Sequence, residues 1–170
     1  SSAQFLDTVQ AYLRRITPFP ISAFFLVDKA DRDFYLEFCL PTVENESVKK
    51  EFGWLIDMGY FSQALRGDSS VIVPSNESGW MVYLHPLVAE SGAVGMFLGR
   101  YPQGQLEISS YQEALLSALL SITAVCLESG YLLRRLQREN RQLEEAVASH
   151  HRELQEALEV GKLKFKMAHL

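Results

Sequence analysis

Leu133-Arg134-Arg135-Leu136-Gln137-Arg138-Glu139-Asn140-Arg141-Gln142-Leu143 lies within a run, residues 106–158, that holds no proline and a single glycine, Gly130. Read in sevens, this run places Leu115, Leu119, Ile122, Cys126, Ser129, Leu133, Leu136, Asn140, Leu143, Val147, His150, Leu154 and Ala157 at alternating steps of four and three. That is the a/d seam of helices that wind around each other. As one helix the run measures roughly 75–80 Å at 1.5 Å per residue, more than a compact domain of this size can cover. Part of it therefore leaves a globular body. The expected dimer seam is Leu133, Leu136, Asn140, Leu143, Val147, His150 and Leu154, and the expected partner is a second copy of the chain. Asn140 is the informative member. A buried asparagine at an a position costs stability and selects a two-stranded, in-register pair. Rim charges do not help, because Glu139 at g faces Glu144 at e in a parallel dimer.

Upstream of the seam, residues 4–16 carry Phe5, Leu6, Val9, Leu13 and Ile16 at helical spacing, and Pro18 and Pro20 stop that helix. Ser1-Ser2-Ala3 is read as an appendage ahead of it. Residues 21–27 and 33–40 form a hairpin around the polar turn Asp28-Lys29-Ala30-Asp31, and Pro41 ends it. Alternation puts Phe34, Leu36, Phe38 and Leu40 on one face of the second strand, with Tyr35, Glu37 and Cys39 on the other. Residues 44–50 read as a short helix or a loop, and residues 52–65 as partly helical, weakened by Gly53 and Gly59. Arg66-Gly67-Asp68 turns the chain into a short strand at 71–73. Residues 80–88 alternate, with Met81, Tyr83, His85 and Leu87 facing one way and Val82, Leu84, Pro86 and Val88 the other. The strand at 94–101 is broken by Gly95 and Gly99, where another group approaches closely.

Antiparallel hairpins with helices on both faces make an α+β domain. The N-terminal helix and the first third of the long helix are expected on one face, the central helical region on the other. The domain occupies residues 1–130 and the signalling coiled-coil helix residues 131–170. The lysine-rich end from Lys162 shows no helix stop signal and reads as leading into an absent output module.

Of the 170 residues, 48% are hydrophobic and 22% charged, with a net charge of −5. That balance is globular and gives no argument for nucleic acid. Cys39 and Cys126 lie far apart with no metal-ligand spacing, so no disulfide and no metal site is expected. No apolar run reaches about 18 residues and no signal peptide opens the chain, so it reads as soluble and cytoplasmic, without direct membrane insertion.

Gly59-Tyr60-Phe61-Ser62-Gln63-Ala64-Leu65-Arg66-Gly67-Asp68 followed by Ser70-Val71-Ile72-Val73-Pro74 resembles the helix, glycine turn and short strand of GAF domains, the small-molecule sensor modules of bacterial signalling proteins. Leu84-His85-Pro86-Leu87-Val88 and Gly92-Ala93-Val94-Gly95-Met96-Phe97-Leu98 resemble the family's paired strands, and residues 115–135 its terminal helix. The resemblance covers residues 4–135. It implies a sensor of the kind attached to histidine kinases of two-component systems, or to diguanylate cyclases. The Asn-Lys-Phe-Asp-Glu signature of cyclic-nucleotide GAF domains is not evident, and no cysteine adjoins a histidine as in bilin-binding relatives, so the cofactor is unknown.

Catalytic signatures are absent: no GxGxxG after a strand, no GxxxxGK[ST], HExxH or GxSxG. Phe24, Phe38, Trp54, Phe61 and Tyr83 are candidates to line a pocket between the sheet and the middle helices. His85, Tyr83, Cys39 and Glu37 are the polar groups to orient a ligand there. The candidate ligand-binding set is thus Glu37, Cys39, Trp54, Phe61, Tyr83 and His85. His85 also suits haem iron, although no second ligand residue accompanies it. His151 is followed by Arg152-Glu153 rather than by an acid and an Asn-Pro, unlike a kinase phosphoacceptor box. The expected function is a dimeric regulatory domain that is not an enzyme. It relays a ligand- or partner-induced change through the coiled coil. The alternatives are a ligand-free dimerisation or docking module and a small oxidoreductase on a GAF-like fold.

Overall fold

The structure, a computed structural model, describes residues 1–67 and 69–170. Asp68, of the Arg66-Gly67-Asp68 turn, lies outside the described residues. The chain divides into two compact units, Ser1–Glu128 and Ser129–Leu170.

In the first unit, α1 (Ser2–Ile16) begins with a capping box. Ser1 accepts from the Gln4 backbone amide, and the Gln4 side chain reaches back to Ser1. Ser1 therefore caps the first helix. β1 (Ile21–Val27) and β2 (Phe34–Leu40) pair antiparallel around the polar turn, where Asp28 and Asp31 carboxylates accept from the amides of Ala30 and Asp33. A 3-10 turn, Thr42–Glu44, leads into α2 (Asn45–Asp57), and α3 (Tyr60–Gly67) follows. Residues 44–50 thus belong mostly to a helix, with Val48 fully buried among polar neighbours. Gly59, at φ 81°, breaks α2 from α3. β3 (Val71–Pro74), β4 (Trp80–Ala89) and β5 (Gly92–Pro102) complete one antiparallel sheet in the order β2-β1-β5-β4-β3. The last helix, α4, runs from Ser110 to Ala168 without a break.

Two hydrophobic layers sandwich the sheet. On one face, Leu6, Val9 and Leu13 of α1 and Leu116, Leu120 and Ala124 of α4 pack with Phe24, Tyr83, Leu87 and Phe97 of the strands. On the other, Val48, Phe52 and Leu55 of α2 and Phe61 and Ala64 of α3 pack with Phe25, Val82, Leu84, Met96 and Leu98. The expected distribution of helices over the two faces is the observed one. β4 alternates as its sequence requires.

β2 does not alternate as expected. Phe24 pairs with Phe38 but Phe25 pairs with Leu36, so Glu37 is an extra residue in the ladder. A bulge of this kind reverses the phase of a strand. Phe34 and Leu36 accordingly join the α2–α3 layer, while Phe38 joins the α1–α4 layer.

Gly53 lies inside α2, and a Cβ built there meets nothing within 4 Å. Gly53→Ala should therefore raise folding stability by up to about 1 kcal/mol through helix propensity alone. Thermal melting by circular dichroism reads this out, and a lower melting temperature would show that the open space is needed.

α4 also contains a stretch long and apolar enough, by length and composition, to cross a membrane. The sequence reading counted only unbroken apolar runs, and serines and a threonine interrupt this one. The stretch is apolar on two sides. Leu116, Leu120 and Ala124 are buried against the sheet, whereas Leu115, Ile122 and Val125 are exposed.

Candidate functional site

The sheet divides the six candidate residues between its two faces. Tyr83 and His85 point from β4 into the α1–α4 layer, while Cys39 and Phe61 belong to the α2–α3 layer, with Trp54 packed against it. Glu37 is half-buried in the β2 bulge. They therefore do not share one layer. Strand alternation sorts the β4 side chains by face correctly but not those of β2, where the bulge puts Phe38 on the opposite face from Phe34 and Leu36.

On the α1–α4 face, polar groups connect the sheet to the long helix. His85, only 3% exposed, has Nδ1 at 2.7 Å from the Pro86 carbonyl oxygen and Nε2 at 3.1 Å from Ser117 Oγ. A carbonyl only accepts, so Nδ1 carries the proton and Nε2 accepts from the Ser117 hydroxyl in neutral imidazole. One helical turn earlier, Glu113 accepts from Ser70 Oγ at 2.5 Å. The fully buried Tyr83 phenol lies beside this pair. Burial first, and the Glu113 carboxylate second, push its pKa well above the ordinary value. Tyr83 is thus a neutral phenol throughout the physiological range. Gln112 donates to the Ile16 carbonyl oxygen at 3.0 Å, and Ser91 donates to Glu128. α4 is therefore tied to α1, to β4 and to the β4–β5 turn by side chains spread over five turns.

On the other face, aromatic rings fill the space beneath α2 and α3. Phe25 and Phe52 stack with centroids 3.8 Å apart and planes 9° apart. Phe61 meets Phe34 edge-on at 4.8 Å and Phe52 at 5.2 Å. Trp54 lies at 5.9 Å from Tyr60. The Cys39 thiol donates to the Pro41 carbonyl oxygen at 3.4 Å. Burial, and then Glu44, raise its pKa to about 11, so it stays protonated. An open groove of about 380 Å³ runs between β2 and α2, lined by Phe25, Phe34, Tyr35, Leu36, Lys49, Phe52 and Gly53. None of the six candidates lines it.

The sequence reading missed a cluster built around two buried charges, Arg100 and Glu51. Arg100, 2% exposed, sits at the end of β5, with Nη2 donating to Glu44 at 3.2 Å and to Ser47 at 2.9 Å. Nη1 lies 3.9 Å from both Glu51 and Glu77, and the guanidinium is 5.7 Å from the Trp80 ring. Glu51, fully buried, accepts from Ser75 Oγ and from the Asn76 amide, the latter at 2.8 Å. The cluster joins the start of α2 to the β3–β4 turn and to β5. Met96, Leu98 and Arg100 alternate along β5, and that period of two was the available signal for an inward arginine. Among the described residues, no group of three or more His, Cys, Asp or Glu side chains is arranged to hold a metal ion.

The seam residues belong to the second unit. Leu133, Leu136, Leu143, Val147 and Leu154 are each exposed by 57–67%, and Asn140 is exposed between them. His150 Nδ1 lies 3.8 Å from Glu153.

The five-stranded antiparallel sheet, covered by the first and last helices on one face and the middle pair on the other, defines an α+β fold of the GAF class. Solved structures agree. GAF3 from Slr1393 of Synechocystis sp. PCC6803, in its photoproduct state, matches with TM-score 0.62 and 11% identity, covering 81% of this chain and 99% of that one. The GAF-B domain of DevS from Mycobacterium smegmatis matches with TM-score 0.60 and 14% identity, covering 80% and 99%. The GAF domain of a two-component sensor histidine kinase from Bacillus halodurans matches with TM-score 0.57 and 14% identity, covering 76% and 95%. At these identities the likeness is one of fold. No family profile and no curated protein sequence matches the chain.

Proposed function

We propose that this chain is the sensory or regulatory domain of a bacterial signal-transduction protein, cytoplasmic and non-enzymatic, of the kind that controls a histidine kinase or a diguanylate cyclase. It forms a parallel homodimer through α4 and relays a change in the sheet along that helix to an output module. The observation that carries this reading is the double use of α4. Its first turns pack onto the sheet through Leu116, Leu120 and Ala124, and its later turns carry an exposed apolar seam. A shift at the sheet thereby biases how two such helices pack.

The test is the solution mass of the purified chain by light scattering or native mass spectrometry. Twice the 19.3 kDa chain mass is expected. Leu143→Glu should return the chain to monomer with its circular dichroism largely retained in the sheet region. A wild-type monomer at micromolar concentration would sink the dimer.

A second reading, a docking or dimerisation module that takes no small molecule, draws support from Phe25, Phe34, Phe52 and Phe61. Their rings pack against one another where a ligand was expected. Native mass spectrometry separates the two readings, since a retained small molecule favours the sensor. Cys39, buried and protonated, gives the oxidoreductase alternative no support, because thiol redox chemistry needs an accessible thiolate; Cys126 is exposed but has no catalytic group arranged beside it among the described contacts.

A further inference from the structure

We infer that the second copy docks along a face of α4 that repeats every eighteen residues rather than every seven. Beyond Leu154 the seam then takes in Leu158, Gly161 and Phe165, while Ala157 is left at its side. This rests on the dimer reading above and specifies its geometry.

Within the second unit the repeat is direct. Leu136 recurs as Leu154, Asn140 as Leu158, Leu143 as Gly161, and Val147 as Phe165. Eighteen residues are five whole turns of an α-helix at 3.6 residues per turn, so each pair shares one azimuth. A strict heptad instead drifts by about 20° per repeat on a straight helix. Continued past Leu154, the heptad frame brings Ala157, Gly161 and then Lys164 into the seam, so that Gly161 is common to both frames. The heptad frame would bury an ammonium group without a partner of opposite charge across the pair, while leaving Leu158 and Phe165 in water at 65% and 67% exposure. The eighteen-residue frame buries both large side chains and leaves Lys162, Lys164 and Lys166 outside.

The relief of the helix follows the same line. One hollow is lined by Leu136, Asn140 and Leu143 with their neighbours, the next by Asn140, Leu143 and Val147 with theirs, and the third by Leu158, Gly161 and Phe165 together with Ala157, Lys162 and Lys166. Hollows of this kind receive the knobs of a facing helix. The stripe also offers apolar area to a second copy. Seven large apolar side chains, each more than half exposed, supply most of the roughly 800 Å² per partner that a stable pair buries. A pair following this stripe runs nearly straight, because the 3.6-residue period requires no left-handed winding.

Cysteine cross-linking of the full chain tests this. In a Cys126→Ser background, with Cys39 buried, single substitutions Leu143→Cys, Ala157→Cys and Leu158→Cys are oxidised and followed on non-reducing gels. Leu143 lies in the seam in both frames and should link readily. The Leu158→Cys form should link several-fold faster than the Ala157→Cys form, because only side chains that face each other across the seam meet disulfide geometry. Equal or faster linking of the Ala157→Cys form, with the Leu143→Cys form linking, would overturn the eighteen-residue frame while leaving the dimer intact. A chain that stays monomeric by mass and fails to link at position 143 overturns the dimer and this geometry together.

Discussion

Arg100→Met is expected to lower folding stability by about 3–5 kcal/mol, the cost of leaving a buried charge without its partner. Glu51 would keep its hydrogen bonds from Ser75 and Asn76 but lose the nearest cation, in a position with no access to water. Glu44 and Ser47 would lose the donor that ties the start of α2 to β5. The double variant Arg100→Met, Glu51→Leu should recover most of the loss, since removing both charges removes the desolvation penalty as well. Urea denaturation of the four proteins in the cycle measures this. A single-variant loss below about 1 kcal/mol would place the pair in a solvated setting, where ion pairs contribute little. The guanidinium Nε and Nη1 make no hydrogen bond, so the wild-type pair is held by proximity and by the Trp80 face more than by ideal geometry. The intact cluster therefore fixes the position of α2 more than it adds stability.

Gly95→Ala is the second large effect, with an expected loss of about 3 kcal/mol or more from overpacking. A Cβ there falls 2.5 Å from the Phe25 carbonyl oxygen and 3.0 Å from methyl groups of Leu26 and Leu87. The carbonyl belongs to the neighbouring strand, so relief requires β1 and β5 to separate in the centre of the sheet. Gly99→Ala makes an instructive comparison. Its Cβ would meet the Phe19 ring at 2.7 Å, and a ring at the end of a side chain moves more cheaply than a backbone oxygen. Chemical denaturation should rank Gly95→Ala as the more damaging. The reverse order would mean that the contacts of Phe19 with Tyr83, Phe97 and Tyr101 make its ring the more rigid neighbour.

These two sites show how unevenly the sequence reveals the molecule. Gly95 and Gly99 interrupt a largely apolar strand, and close approach is the natural reading. The β4 alternation and the helical spacing of Leu6, Val9 and Leu13 likewise placed the core. β2 misled because a bulge is set by its pairing with β1, and nothing local to Glu37 announces an extra residue. Residues 44–50 stayed ambiguous between helix and loop because, of these seven, only Val48 is buried, among polar neighbours. The candidate ligand set divides between the two faces for a different reason. Tyr83 and Trp54 are both inward-facing aromatics, and only the three-dimensional order of layers shows that they point to opposite sides of the sheet. Arg100 was overlooked because an inward charge contradicts hydrophobic patterning, although its place in the alternation was visible.

The unbroken α4 sets a rule for recombination between genes. Because side chains on such a helix are arranged at 100° intervals, any module spliced onto it arrives at an orientation set by the number of residues retained. Losing or gaining five turns restores the original facing, seven residues leave it about 20° out, and nine turn it roughly to the opposite side. Viable fusions to this chain would accordingly cluster at a few permitted linker lengths rather than spread over all of them.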